Sequence, residues 1–175
     1  MFIDHTVESA PPGARRTMAA TEKRLGHLPP AVARMAASPE LLDGFLKSSA
    51  LFETSTLDPI AREVVIMMMA TRNHCHICIA MHTAKLIALG ADRDIVDALS
   101  GQLPLKDEKL EAIREFTLEV LRTAGKVDDE ALTTFLRNGY THRNALEVVL
   151  GIGTYTMSTL ANRMTDAPLQ PANPR

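Results

Sequence analysis

Residues 58–90 read DPIAREVVIMMMATRNHCHICIAMHTAKLIALG and indicate two consecutive helices. Asp58-Pro59 supplies an N-cap followed by a proline at the first helical position, which predicts a helix over 59–72. A second helix is expected over 75–89, with Gly90 as its C-terminal glycine. Neither segment alternates apolar and polar residues as a half-buried strand does. This stretch therefore favours a helical hairpin.

The same helix signals recur on both sides of this hairpin, and they leave no linker long enough to divide the chain. We expect a single all-α, compact domain of about seven helices over residues 1–175, with a mobile C-terminal tail from about residue 166. Outside the hairpin, the predicted helical segments are 14–25, 39–54, 93–99, 106–124, 129–138 and 142–163.

Composition and charge exclude several function classes for this chain of 175 residues. A net charge of −2 without any basic run argues against nucleic-acid binding. The most apolar stretches are too short to span a bilayer, and the N-terminus lacks the basic and apolar regions of a signal peptide. These observations predict a cytoplasmic protein without membrane contact.

Two cysteines and a histidine in the second helix carry the chemistry. Cys75 and Cys78 are three residues apart, and His82 follows Cys78 by four, so a helix places all three side chains on one face. The first turn of a helix favours a thiolate over a thiol, because its free N–H groups and its dipole present positive charge. A thiolate with a second thiol within reach can pass from sulfenic acid to disulfide. We therefore expect a redox-active thiol site in which His82 manages the proton.

Glu63 is the acid that the first helix contributes. It lies among valine, isoleucine and methionine residues, where an unpaired carboxylate is costly. If the two helices pair, a histidine on the facing helix is a suitable partner, and a Glu–His–Cys relay follows as a hypothesis. The alternative is a plain salt bridge from Glu63 to a nearby basic residue.

Other interpretations of the cysteine pair remain open. Cys75, Cys78 and His82, with His74 or His76, nearly supply the four ligands of a zinc site, although a second distant ligand pair is lacking. Inert packing of both cysteines is the third alternative. His74 and His76 either tune the acidity of the thiols or are exposed residues at the start of the helix.

These residues carry a resemblance to a known family. Glu63, the Cys75-x-x-Cys78-x-x-x-His82 run and the apolar helix ending at Gly90 resemble the alkylhydroperoxidase D-like branch of the carboxymuconolactone decarboxylase superfamily. The match has its motif core at residues 57–100. The resemblance implies an alkylhydroperoxidase D-like helical fold that assembles as homo-oligomers, trimers or hexamers. It also implies thiol-dependent reduction of hydroperoxides without a metal or an organic cofactor.

Roles for individual residues follow from the same resemblance. Cys78 corresponds to the peroxidatic cysteine and Cys75 to the resolving one, with Glu63 and His82 as the proton relay. The expected reductant is a lipoyl-bearing protein or another dithiol donor. The helix-terminus argument alone makes Cys75 the more acidic thiol, so the two lines of reasoning differ on which sulfur attacks.

The chain departs from alkylhydroperoxidase D just before the second cysteine, where Ile77 stands in place of a histidine and His76 lies one position earlier. The decarboxylases that name the superfamily generally lack the cysteine pair. The alternatives to a peroxidase are therefore a decarboxylase-like lyase using His82 and Glu63, a disulfide reductase, or a metal-binding redox module.

Overall fold

A computed structural model of the protein describes residues 1–169, and this part of the chain contains nine α-helices and no strand. The all-α prediction is confirmed. The helices are α1 (Pro12–Leu25), α2 (Pro30–Met35), α3 (Pro39–Glu53), α4 (Pro59–Arg72), α5 (His76–Ala88), α6 (Arg93–Ser100), α7 (Glu108–Arg122), α8 (Asp129–Arg137) and α9 (His142–Met164).

Residues 1–169 hold nine helices rather than about seven, and α2 is the one that no predicted segment covers. Helix α2 carried no recognisable signal, because it has only six residues and no side-chain N-cap. It starts at the second of two consecutive prolines, a pair that resembles a loop in sequence. Pro30 nevertheless fits the first turn of a helix, where its missing N–H is not needed.

Side-chain caps explain why most of the predicted helix starts are correct. Asp58 Oδ1 accepts a hydrogen bond from the Ala61 amide at 2.9 Å and so fixes the start of α4. Thr141 and Asn144 form a reciprocal capping box at the start of α9. Comparable caps come from Ser38, Asp107 and Asp128.

Helix α4 lies at the centre of the bundle, where it contacts α3, α5, α6, α7 and α9. It is buried on all sides, and its Met67–Met69 run is at most 2% exposed. Such a helix must be apolar around its whole circumference, which accounts for the unbroken apolar sequence. Glu63, 0% exposed, is the exception, and it marks the place where α4 contributes to a polar site.

Helix α9 approaches α3 and α4 closely at Gly151. A Cβ atom added there would lie 2.7 Å from the ring of Phe52 and 2.9 Å from Val65 Cγ1. Because such distances are too short for real contacts, only glycine permits this approach. The approach brings the polar residues farther along α9 onto α5.

The first residues of the predicted C-terminal tail are described and packed. Ala167 is fully buried against the cysteines, and Arg34 donates hydrogen bonds to the carbonyl groups of Thr165 and Asp166. The remainder of the predicted tail, residues 170–175, lies outside the described residues.

Candidate active site

A tight turn between α4 and α5 places the two cysteines. The Cys75 amide donates to the Ala70 carbonyl at 2.9 Å, and His74 takes a left-handed conformation with φ of 50°. Histidine is among the residues that adopt this conformation more readily than most. Cys75 becomes the N-cap of α5, and Cys78 lies in its first turn.

The two sulfur atoms form a close pair of free thiols. Cys75 Sγ and Cys78 Sγ lie 3.1 Å apart and share a hydrogen bond. The two residues are only 1% and 3% exposed. A disulfide bond is about 2.05 Å long, so about 1 Å of closure joins the sulfurs. The pair can therefore change between thiols and disulfide with little movement of the chain.

One of the two thiols is acidic. The hydrogen bond from Cys78 lowers the pKa of Cys75 to about 6, although burial opposes this shift; the Cys78 backbone, Asn162 and His76 act in the same direction as the hydrogen bond. The same sulfur–sulfur hydrogen bond raises the pKa of Cys78, and burial adds to that rise. At neutral pH the pair therefore carries one negative charge, on Cys75, and one proton, on Cys78.

Glu63 and His82 form the second pair of the site. Glu63 Oε2 lies 2.6 Å from His82 Nδ1, and His82 is 9% exposed. Since an ionised carboxylate can only accept, the hydrogen lies on Nδ1 and leaves Nε2 as the basic nitrogen. The Tyr155 ring packs edge-on against the imidazole, with ring centroids 5.4 Å apart, and helps to fix its orientation.

Lys85 links Glu63 to the protein surface. Its Nζ lies 3.0 Å from Glu63 Oε1, an ion pair without the alignment of a hydrogen bond, and 2.5 Å from Glu53 Oε1. Burial raises the pKa of Glu63, but His82 and Lys85 together outweigh burial and leave that pKa below its ordinary value. Glu63 is therefore ionised at neutral pH despite its burial.

The structure brings the predicted residues together as two pairs, one at the start of α5 and one between α4 and α5. Cys75 contacts Cys78, and His82 contacts Glu63 across the α4–α5 interface. Among the described residues, no hydrogen bond connects His82 with either sulfur. In this structure no proton can pass directly from a sulfur to His82. Such a transfer is therefore part of the proposed reaction only.

His74 and His76, the candidate tuning residues, are both exposed at the turn. His76 favours the ionised form of Cys75 electrostatically, because it helps to lower the pKa of that thiol. Within residues 1–169, no group of three or more histidine, cysteine, aspartate or glutamate side chains is arranged to hold a metal ion.

The sequence interpretation missed the contribution of α9. Asn162 Nδ2 donates to Cys78 Sγ at 3.4 Å, and Ser158 Oγ lies 3.8 Å from the same sulfur. The available signal was helical spacing, since Tyr155, Ser158 and Asn162 recur every three or four residues along one face of α9. Nothing in that spacing identifies Cys78, which lies 80 residues from Ser158 and 84 residues from Asn162, as the partner.

Known proteins give the family context of this site. Residues 39–105 match the model of the Carboxymuconolactone decarboxylase family, a wider span than the motif core predicted from the sequence. No curated protein sequence matches the chain. In the described residues, no helix is both long and apolar enough to cross a membrane.

Solved structures share the fold over nearly the whole chain. A peroxidase-related protein of Ralstonia eutropha JMP134, described as an alkylhydroperoxidase core, is similar with a TM-score of 0.83 and 16% identity, over 97% of this chain and 91% of that one. A peroxidase-related protein of Silicibacter sp. TM1040 gives a TM-score of 0.74 and 17% identity, with coverages of 98% and 91%. The debrominase Bmp8 gives a TM-score of 0.71 and 17% identity, with coverages of 91% and 87%.

These structural likenesses concern the fold, whereas the family model matches the sequence around the Glu63, Cys75, Cys78 and His82 motif. The chain has an alkylhydroperoxidase D-like fold, and its residues 39–105 are similar to the Carboxymuconolactone decarboxylase family.

Proposed function

We propose that the protein is a thiol-dependent peroxidase that reduces hydroperoxides through Cys75 and Cys78. The observation that supports this most strongly is the pair of free sulfurs 3.1 Å apart, of which one is ionised at neutral pH. A thiolate is the nucleophile that attacks peroxide oxygen, and an adjacent thiol converts the product to a disulfide. The expected cytoplasmic location would keep both sulfurs reduced between turnovers.

In the proposed reaction, Cys78 attacks and Cys75 resolves. A proton moves from Cys78 to Cys75 along their hydrogen bond, and the Cys78 thiolate attacks the terminal oxygen of the hydroperoxide. The S–O bond forms as the O–O bond breaks, so that sulfur loses two electrons and an alkoxide leaves. Cys75 then attacks the sulfenic acid of Cys78, the disulfide forms, and the hydroxyl leaves as water.

Glu63 and His82 manage the protons of these steps. The alkoxide needs a proton, which His82 supplies after Nε2 has taken one up from solvent; His82 lies one helical turn after Cys78, and its Nδ1 stays bonded to Glu63. Glu63 holds the tautomer and stabilises the imidazolium whenever His82 carries two protons. The carboxylate thus acts through the histidine, and we assign it as a positioning residue.

Regeneration requires a dithiol. The disulfide of Cys75 and Cys78 exchanges with a small dithiol or a lipoyl-bearing protein, which is oxidised in turn. By the family resemblance, we propose that the protein works as a homo-oligomer, a trimer or a hexamer.

Steady-state reduction of an alkyl hydroperoxide with dihydrolipoamide tests this function. Wild type should turn over, whereas Cys78→Ser should lose turnover to the background rate. Met81→Ser, an exposed position on the same helix, is the matched control and should retain full activity. Unchanged turnover in Cys78→Ser would contradict the mechanism.

The order of the two sulfurs has its own test. In Cys75→Ser, one equivalent of peroxide should leave a sulfenic acid at Cys78, which dimedone captures and peptide mass spectrometry locates. In Cys78→Ser, Cys75 should remain unlabelled. Labelling of Cys75 alone would reverse the assignment, in keeping with its greater acidity.

A second candidate is a decarboxylase-like lyase, favoured by the family model and by the Glu63–His82 pair, which forms an acid–base couple without the cysteines. The double variant Cys75→Ser/Cys78→Ser separates the two functions. A lyase would keep its activity on a carboxymuconolactone in that variant, whereas a peroxidase would lose all peroxide turnover.

A further inference from the structure

Helix α9 forms a third wall of the thiol site. Asn162 Nδ2 lies 3.4 Å from Cys78 Sγ and Ser158 Oγ lies 3.8 Å from it. Both residues are buried, at 3% and 4% exposure. Sulfur is a weak acceptor as a thiol but a good one as a thiolate, so two buried donors are best used when Cys78 is ionised.

The other end of the Asn162 carboxamide is unused. Its Oδ1 is buried and accepts no hydrogen bond from any described residue. Leaving a buried polar atom without a partner destabilises the folded state, so such an atom calls for an explanation. An oxygen held beside a reactive sulfur gains a partner when that sulfur acquires a hydroxyl.

Asn162 is held in place by more than its own contacts. Its neighbours on α9 bind the turn that carries the cysteines, because Asn73 Nδ2 donates to Thr159 Oγ1 at 2.8 Å and Arg163 donates to the Asn73 carbonyl at 2.7 Å. The carboxamide is therefore preorganised relative to the sulfurs, as a group that stabilises charge in a reaction must be.

We infer that Asn162, with Ser158 beside it, is a positioning residue that stabilises the Cys78 thiolate through Nδ2 and receives the hydroxyl of the Cys78 sulfenic acid through Oδ1. The first role requires only the thiol pair, whereas the second rests on the proposed peroxidase function. When the thiolate displaces alkoxide from the hydroperoxide, the hydroxyl hydrogen stays on the transferred oxygen. That hydrogen is the donor that Asn162 Oδ1 lacks in the resting site.

Three variants separate the two ends of the carboxamide. Asn162→Leu removes both, Asn162→Asp keeps one oxygen but replaces the donor with a negative charge, and Ser158→Ala removes the weaker donor. Thr154→Val is the matched control, because Thr154 lies on the same helix, is 1% exposed and also has a hydroxyl without a partner among residues 1–169.

The first measurement is the pH dependence of iodoacetamide alkylation of Cys78, followed in a Cys75→Ser background so that no other cysteine reacts. In Asn162→Leu we expect the alkylation rate at neutral pH to fall about tenfold and the profile to move to higher pH, because a donor to the thiolate is lost. Asn162→Asp should move the profile further, because two negative charges then compete. A purely structural role would leave the profile unchanged, as we expect for Thr154→Val.

The second measurement follows the sulfenic acid in a Cys75→Ser background after one equivalent of peroxide. The sulfenic acid should react with dimedone, and be oxidised further, several-fold faster in Asn162→Leu but not in Thr154→Val. The inference would be overturned if both Asn162 variants had the same alkylation profile and the same sulfenic acid lifetime as Thr154→Val. If Cys75→Ser with native Asn162 forms no sulfenic acid, the peroxidase proposal and the Oδ1 role fail, and the alkylation profiles alone still decide the donor role.

Discussion

Two buried glutamates show how different environments give one side chain different roles. Glu147 on α9 accepts hydrogen bonds from the Thr56 amide and hydroxyl, from Asn144 and from Arg143, at 2.8–3.0 Å. Glu63 on α4 has only an imidazole on one oxygen and an ammonium near the other. Glu147 is saturated by donors that tie the loop before α4 to α9, whereas Glu63 is coupled to a group that can exchange protons.

This comparison predicts that the two carboxylates fail in different ways. Glu63→Gln should lower peroxide turnover about a hundredfold, because the amide cannot stabilise the imidazolium or hold its tautomer. Glu147→Gln is the matched control and should keep turnover within about twofold per folded molecule. The measurement is kcat in the dihydrolipoamide assay, with circular dichroism to establish folding. Equal losses in the two variants would remove the distinction.

For stability we expect the opposite order, with a larger loss on removing Glu147 than on removing Glu63. Glu147→Ala leaves the Thr56 amide without its acceptor and removes one of the two acceptors of Asn144 Nδ2, and it should lower the free energy of unfolding by about 2–3 kcal/mol. Urea denaturation gives this value from the midpoint, and an unchanged slope would show that the native state stays compact. A loss below about 1 kcal/mol would mean that water replaces the carboxylate at little cost.

The hydrogen bonds of Glu147 should also make the free energy of unfolding depend on pH. Burial raises the pKa of Glu147, but its hydrogen bonds with Thr56, Asn144 and Arg143 outweigh burial and leave that pKa below the ordinary value. A lowered pKa contributes stability that is complete above about pH 4.5 and is lost as the pH falls through the folded-state value. The difference in unfolding free energy between wild type and Glu147→Gln should therefore shrink from about pH 6 to about pH 3. A constant difference would contradict this origin.

The same two residues show what the sequence could and could not predict. Each is an acid within an apolar helical segment, so their local sequences are alike. Glu63 was identified because a histidine followed at the spacing expected for a helical hairpin. The main partner of Glu147 is Thr56, 91 residues away in the sequence, and only the packing of α9 on the loop before α4 brings them together.

The rest of the molecule shows the same contrast between features that local sequence predicts and features that depend on tertiary contacts. Helices with an N-cap and an apolar stripe were predicted within a few residues, and the Cys75–Cys78 spacing gave the thiol pair. Helix α2 was missed because six residues carry no periodicity. Asn162 was missed because it reaches Cys78 across 84 positions of the chain. In each case the missing information was tertiary contact, not local propensity.

The smallest expected effects concern the exposed partner of each carboxylate. Lys85 and Arg143 both pair with a buried glutamate, and their side chains are 39% and 70% exposed. Lys85→Met should lower turnover about three- to tenfold, because Glu63 loses one of the two groups that favour its ionised form. As the pKa of Glu63 then rises, the acid limb of the pH–rate profile should move to higher pH.

Arg143→Met is the matched change at the other glutamate. Glu147 keeps three other donors, so turnover and its pH profile should stay unchanged and stability should change by about 0.5 kcal/mol or less. The measurement is the same pH–rate profile for both variants. An acid limb that does not move in Lys85→Met would show that His82 alone keeps Glu63 ionised. Lys85 and Arg143 would then be equivalent, each forming only a surface ion pair with its glutamate.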